Sequence, residues 1–168
     1  RLLRWGGLMS NYMICFSKNG AALGRKILTA APQENSGSAA PAEACASVSS
    51  ASSADWELTQ CFGADHESLS DWTKRVFQPG NNLLFIGAAG IAVRAIAPYV
   101  REKQSDPAVV VMDEKANWCI PILSGHLGGA NLLANKLAKM TGAQAAITTA
   151  TDVRGVWAVD SWAKQEGL

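Results

Sequence analysis

Glycines and polar side chains that could take part in chemistry are concentrated between Pro121 and Asn131. This stretch contains Ser124, Gly125, His126, Gly128, Gly129 and Asn131. A glycine-rich turn at a helix start exposes backbone N–H groups, which suits an anion or a developing oxyanion. His126 could act as a general base near neutral pH, and Ser124 could donate a hydrogen bond or attack as a nucleophile. The alternative is a structural core histidine; a serine triad is not expected, because the Gly-x-Ser-x-Gly pattern is absent.

Two further loops carry small or polar residues after apolar runs. Gly87-Ala88-Ala89-Gly90, with Arg94 beyond it, follows a strand-like run and leads into a predicted helix. It suits a ligand near the backbone, or simply tight strand–helix packing, and it lacks the full Gly-x-Gly-x-x-Gly pattern of dinucleotide sites. The other loop holds Thr149, Thr151 and Asp152, followed by Arg154. It forms either a polar wall of a site or a helix cap at Thr151 or Asp152.

Hydrophobic patterning predicts the elements that position these loops. Strands are predicted at 12–16, 56–61, 83–86, 108–112, 119–123 and 145–148, and helices at 21–28, 68–77, 91–99 and 128–140. Their alternation predicts an α/β fold: a single layered domain with a largely parallel sheet flanked by helices. One β-hairpin is expected around Asp113 and Glu114, which are predicted to be solvated. Since ligands bind beyond the carboxyl ends of strands in such sheets, all three loops are candidates for one site.

Composition limits the function classes. The chain has 168 residues, a net charge of +1 and only 17 % charged residues, so bulk attraction to nucleic acid or anionic lipid is not expected. The longest apolar stretch, Leu83–Val93, is too short for a membrane helix, which needs about 20 residues. The four cysteines lack the spacing of a zinc or redox pair, so we expect reduced thiols, no metal site and a cytoplasmic protein. An Ala/Ser-rich stretch within 30–55 is predicted to be a disordered insertion.

Four blocks in order resemble one known family. They are Phe85–Pro98, Asp106–Glu114, Leu123–Asn131 and Ile147–Asp152, and together they closely resemble the N-terminal region of CbiG, the cobalt-precorrin-5A hydrolase family of anaerobic cobalamin synthesis. The resemblance is dense from Asn82 to Leu168 and looser over Tyr12–Leu28. Family members continue into a linker and a C-terminal domain, so residues 1–168 are expected to be an N-terminal α/β domain without that C-terminal domain.

The resemblance implies a reaction and a substrate. Enzymes of this family open the δ-lactone of cobalt-precorrin-5A and release acetaldehyde, giving cobalt-precorrin-5B. The cobalt belongs to the corrinoid substrate, so no protein cofactor is expected. We predict His126, Ser124 and Asp152 as catalytic residues. The predicted substrate-binding residues are Gly87, Gly90, Arg94, Gly125, Gly128, Gly129, Asn131, Thr149 and Thr151. A corrinoid-binding or structural module that needs the missing part for catalysis is the alternative, and the oligomeric state is left open.

Overall fold

The computed structural model of the protein describes residues 10–30, 56–64 and 66–149. The predicted insertion within 30–55 lies almost entirely outside these residues, as do Thr151, Asp152 and Arg154. The described elements, in chain order, are β1 (Asn11–Cys15), α1 (Lys18–Thr29), β2 (Trp56–Gln60), α2 (Leu69–Val76), β3 (Asn82–Ile86), α3 (Ala89–Ile96), β4 (Ala108–Met112), β5 (Trp118–Leu123), α4 (Ala130–Thr141) and β6 (Gln144–Ala145).

The strands form a six-stranded sheet in the order β2-β1-β3-β4-β5-β6. Strands β1 to β4 are mutually parallel where they pair, whereas β5 runs antiparallel to β4 and β6 runs parallel to β5. The predicted α/β architecture with a largely parallel sheet and one hairpin is therefore confirmed. We call the end of the sheet at which β1, β3 and β4 finish the carboxyl end, and the opposite one the amino end.

Helices cover both faces of this sheet. On one face, residues of α1 and α4, including Ile27 and Leu137, share a core with Leu84 and Val110. On the other face, α2 and α3 pack against side chains such as Phe85, whose ring meets that of Trp72 edge-on with centroids 5.3 Å apart. All five residues of β3 and all five of β4 are buried, as expected for central strands covered on both faces.

Local sequence signals account for most helix boundaries. The Ser17 hydroxyl accepts from the Gly20 N–H at the start of α1, and the Ser68 hydroxyl accepts from the Asp71 N–H at the start of α2. Gly142 ends α4 with a left-handed φ of 82°, the conformation in which glycine commonly terminates helices. Helix α3 ends at Ile96, two residues before Pro98 and short of the predicted end at Tyr99, because proline has no N–H to continue the helical hydrogen bonds.

Some boundaries differ from those predicted. Helix α1 begins at Lys18 rather than Ala21, because Ser17 caps the chain three residues earlier than the apolar pattern indicates. The last strand, predicted at 145–148, is only Gln144–Ala145, since pairing to β5 covers only Trp118 and Cys119. Within the residues that the structure describes, no helix is long and apolar enough to cross a membrane.

Candidate functional site

The predicted site residues are divided between opposite ends of the sheet. The Gly87 N–H donates to the Met112 carbonyl (2.9 Å), which places the loop after β3 at the carboxyl end. Leu123, the last residue of β5, pairs with Val109 near the start of β4, which places the loop after β5 at the amino end. The two loops are separated by the length of β3, about 16 Å for five residues. The β4–β5 hairpin causes this separation, because a strand that turns back from the carboxyl end of the sheet must finish at the amino end.

The loop after β3 forms an open shelf at the start of α3. Gly87 has a φ of 157°, and a Cβ there would lie 2.8 Å from the Phe16 ring, so this glycine leaves room for the Phe16 side chain, which follows β1. A Cβ on Gly90 would meet nothing within 4 Å, and Gly90 is exposed. The sheet order changes direction between β1 and β3, and such a switch point is where α/β sheets bind ligands. The shelf therefore has the position and the accessibility of a ligand site.

Arg94 is exposed but stands apart from this shelf. It belongs to the last turn of α3, five residues after the helix start, or about 7 Å along the axis. Backbone donors at the start of α3 and the Arg94 guanidinium are thus at opposite ends of a short helix. A ligand would have to extend along the helix to contact both.

A contact that the sequence analysis missed lies beside the shelf. The Ser17 hydroxyl donates to the Glu114 carboxylate (2.5 Å), joining the start of α1 to the β4–β5 hairpin. The neighbouring Asp113, predicted to be solvated, accepts hydrogen bonds from the Trp118 N–H, the Lys115 N–H and the Asn117 side chain. Partial burial opposes ionisation of Asp113, but these donors outweigh it and hold the pKa of the carboxyl below its ordinary value. A local pattern in the sequence predicted the hairpin, but no local pattern predicts the contact between Ser17 and Glu114, which are 97 positions apart.

At the amino end, Ser124 holds its own loop in place. It has a left-handed φ of 55°, which is strained for a residue other than glycine. Its side chain is buried, and its hydroxyl donates to the Asp106 carbonyl (2.9 Å). A Cβ on Gly128 would lie 2.3 Å from the Ser124 Cβ, so the loop folds tightly around this serine. This arrangement favours a structural role for Ser124 over attack on a substrate.

The glycine-rich loop also satisfies the first turn of α4. The Ala130 N–H donates to the Ser124 carbonyl (3.2 Å), and the Asn131 N–H donates to the Gly125 carbonyl (2.9 Å). Gly129 occupies the cap position with a φ of 85°, which glycine adopts without a steric penalty. Two of the N–H groups that the sequence analysis assigned to an anion are therefore used within the loop. Gly129 is explained by the path of the backbone, and Gly125 and Gly128 by the close approach of Asn131 and Ser124 respectively.

The loops after β5 and β6 do come together. The Asn131 side-chain amide donates to the Thr149 hydroxyl (2.7 Å), and a Cβ on Gly125 would lie 2.8 Å from the Asn131 Oδ1. His126 and Thr149 are half-buried. We call the set of His126, Asn131 and Thr149 the amide–imidazole cluster. Its members are an ionisable ring, an amide and a hydroxyl on two loops that the Asn131–Thr149 hydrogen bond joins, and such groups can orient a polar ligand and move a proton.

The cysteines of the described residues are buried or half-buried thiols. Cys15, Cys61 and Cys119 are free. Burial raises the pKa of the Cys119 thiol to about 12. Burial also raises the pKa of Cys15, although the Arg25 charge opposes the shift. A thiol with a raised pKa is a weak nucleophile, and no metal-binding group of three or more His, Cys, Asp or Glu occurs within the described ranges.

Comparison with known proteins identifies relatives of this chain. Residues 71–152 match the family described as Cobalamin synthesis G N-terminal, which confirms the resemblance to CbiG predicted from the sequence. The chain is 54 % identical over 97 residues to a protein of Salmonella typhimurium named cobalt-precorrin-5A hydrolase. It is 44 % identical over 92 residues to a Priestia megaterium protein of the same name.

These matches cover only part of this chain and a smaller part of each relative. The matched regions are 58 % and 55 % of this chain, but only 28 % and 25 % of the two relatives, so the chain spans about a quarter of their length. A crystal structure of a cobalamin biosynthesis protein G homolog from Sulfolobus solfataricus superposes with a TM-score of 0.56 at 21 % identity. That superposition covers 83 % of this chain and 36 % of the other, and it supports the fold.

Proposed function

We propose that this chain, which resembles the N-terminal region of CbiG, takes part in opening the δ-lactone of cobalt-precorrin-5A. In this reaction water adds at the lactone carbonyl, and the opened chain then loses acetaldehyde by carbon–carbon cleavage, giving cobalt-precorrin-5B. The observation that carries the proposal is the 54 % identity to a protein named cobalt-precorrin-5A hydrolase. The cobalt travels with the substrate, and the proposal needs no cofactor bound by the protein. We place the reaction in the cytoplasm, in keeping with a biosynthetic role.

The proposed chemistry is centred on the amide–imidazole cluster. His126 is half-buried beside the start of α4, and we assign it the role of general base that takes a proton from the attacking water. Asn131 and Thr149, which hydrogen bond to each other, would orient the lactone or the water. Thr151 and Asp152 follow two and three residues later in the sequence, and we propose that they complete the same polar wall. Ser124 positions the loop through its bond to the Asp106 carbonyl.

The carboxyl end of the sheet supplies a second proposed binding surface. Gly87 and Gly90 leave an open shelf on which an apolar part of the macrocycle could rest, and Arg94 could hold a carboxylate arm. Because about 16 Å of strand separates this shelf from His126, the two ends cannot both contact the reacting lactone. The shelf is therefore proposed as a binding surface and the cluster as the place of reaction.

A second candidate function is a corrinoid-binding or structural module without catalysis of its own. Two observations favour it: the chain spans only about a quarter of its named relatives, and the predicted site residues fall at opposite ends of the sheet. In this case the catalytic groups would come from the part of the relatives that this chain does not match. The chain would bind substrate without releasing acetaldehyde.

Turnover by a histidine variant tests the proposal. His126→Ala should lower acetaldehyde release from cobalt-precorrin-5A at least about tenfold, the contribution expected of a positioned base. His66→Ala is the matched control, because His66 is exposed and its ring lies against the Gly63 carbonyl (2.8 Å), away from the cluster. Unchanged turnover in a folded His126→Ala variant would remove His126 from the mechanism. Substrate binding without turnover by the unmodified chain would favour the module.

A further inference from the structure

A cavity lies between α1, the β4–β5 hairpin and the end of α4, at the carboxyl end of the sheet. Its volume is about 500 Å³, within the range of roughly 300–1,000 Å³ typical of small-molecule sites. We call it the α1–α4 cavity. The residues that line it include Leu23, Lys26, Glu114, Lys115, Met140 and Thr141. The proposed reaction uses none of them.

The α1–α4 cavity combines aliphatic side chains with two cations. Leu23 and Met140 both line the cavity, and Met140, which is half-buried, leaves part of its side chain for an aliphatic ligand to cover. Lys26 comes from α1 and Lys115 from the hairpin, and both are exposed. A lysine ammonium on a flexible four-carbon stem can reach toward a ligand at modest cost. A lining that combines apolar side chains with flexible lysine side chains suits an amphipathic anion.

The balance of charge in the lining favours an anion over a cation. The lining contains two ammonium groups and one carboxylate, that of Glu114, and this carboxylate already accepts a hydrogen bond from the Ser17 hydroxyl (2.5 Å). An inorganic anion would use the lysines but would leave the accessible part of the Met140 side chain uncovered. We propose that the α1–α4 cavity binds a carboxylate with an aliphatic body, its charge near Lys26 and Lys115 and its body against Leu23 and Met140.

Two sources supply this ligand chemistry. One is a free aliphatic carboxylate, and the other is a carboxylate side arm of a corrinoid. The second source rests on the proposed function, whereas binding of a carboxylate does not. The experiment below measures binding without turnover, so failure of the proposed reaction and failure of this inference give different results.

The test is a titration of the full chain followed by the amide NMR signals of Ala116 and Met140. The probes are hexanoate, its uncharged counterpart 1-hexanol, and cobyrinic acid, a corrinoid with free carboxylate arms. Hexanoate should shift both signals saturably, and hexanol should not at the same concentrations. Cobyrinic acid that displaces hexanoate identifies a side arm as the ligand; hexanoate binding without that competition identifies a free carboxylate.

The test includes variants that should weaken hexanoate binding and one that should strengthen it. Lys26→Gln and Lys115→Gln should each weaken hexanoate binding about threefold, and Glu114→Gln should strengthen it by a similar factor, as expected for partly exposed charges. Lys74→Gln, on α2 at the other face of the sheet, is the control and should change nothing. Ala22→Trp places a large side chain in the lining and should abolish binding without altering charge.

Several results would overturn the inference. They are the absence of saturable shifts with either carboxylate probe, equal binding of hexanol and hexanoate, and equal binding by the Lys26→Gln, Lys115→Gln and Lys74→Gln variants. Retained binding in a folded Ala22→Trp variant would place the ligand elsewhere.

Discussion

Replacement of Ser124 by alanine and by glycine separates two properties that the structure gives this residue. The first is a buried hydrogen bond from its hydroxyl to the Asp106 carbonyl (2.9 Å). The second is a left-handed backbone with a φ of 55°. Ser124→Ala removes the bond and keeps the strained backbone. Ser124→Gly removes the same bond but relieves the strain.

The two variants should therefore differ in stability. Loss of the bond leaves a buried carbonyl unsatisfied, which costs about 1–3 kcal/mol, so Ser124→Ala should lower the free energy of unfolding by that amount. Left-handed backbone costs a residue with a Cβ about 1–2 kcal/mol, so Ser124→Gly should be more stable than Ser124→Ala by about 1 kcal/mol. At this chain length, that difference corresponds to roughly 2–4 °C in the unfolding midpoint.

Urea and thermal unfolding, followed by circular dichroism, measure both quantities. A glycine variant no more stable than the alanine variant would refute the strain argument. Turnover gives an independent check on the role of Ser124. A positioning residue should retain activity within about tenfold in the folded variant, whereas loss of a nucleophile costs far more. A drop of three orders of magnitude with the fold intact would return Ser124 to the list of catalytic residues.

Three further predictions concern stability and reactivity. Gly128→Ala should lower the free energy of unfolding by about 2 kcal/mol or more, because the new Cβ would lie 2.3 Å from the Ser124 Cβ. Gly90→Ala, in open space within α3, is the control and should be neutral or slightly stabilising. Similar losses of stability in both variants would contradict the packing explanation. Asp113→Asn should lower the urea midpoint of unfolding at pH 7. The difference in midpoint between the variant and the unmodified chain should shrink as the pH falls from about 4, because a carboxyl whose pKa is depressed on folding loses its contribution to stability when it is protonated. A pH-independent difference in midpoint would contradict this reasoning. Burial raises the pKa of the Cys119 thiol to about 12, so Cys119 should resist alkylation by iodoacetamide at pH 8 until the chain is unfolded. Peptide mass spectrometry measures this labelling, and rapid labelling of the native chain would contradict the burial of Cys119.

Local signals in the sequence account for the elements but only partly for the site. The apolar run at Leu83–Ile86 and the serine at 68 predict β3 and the cap of α2, because each depends on neighbours in the chain. The hairpin was also predictable, and it implies that β5 runs back toward the amino end. Treating the loops after β3 and β5 as one site therefore ignored the direction of the strands. The structure separates Gly90 from His126 for this reason.

Contacts between distant parts of the chain explain the rest. The Ser17–Glu114 hydrogen bond and the α1–α4 cavity beside it depend on tertiary packing of elements about 100 residues apart. The left-handed backbone at Ser124 also lacks a local signal, since serine does not favour that conformation. The pairing of Asn131 with Thr149, by contrast, joins two loops that the sequence had singled out.

The central claim is that this chain acts on cobalt-precorrin-5A, and product analysis tests it most directly. The full 168-residue chain is incubated with cobalt-precorrin-5A, acetaldehyde is trapped and quantified, and the corrinoid is examined by mass spectrometry. The proposed function predicts one acetaldehyde released for each cobalt-precorrin-5B formed, at a rate that depends on His126. The absence of acetaldehyde release would contradict the proposed reaction, and the additional absence of saturable corrinoid binding would also exclude the binding module.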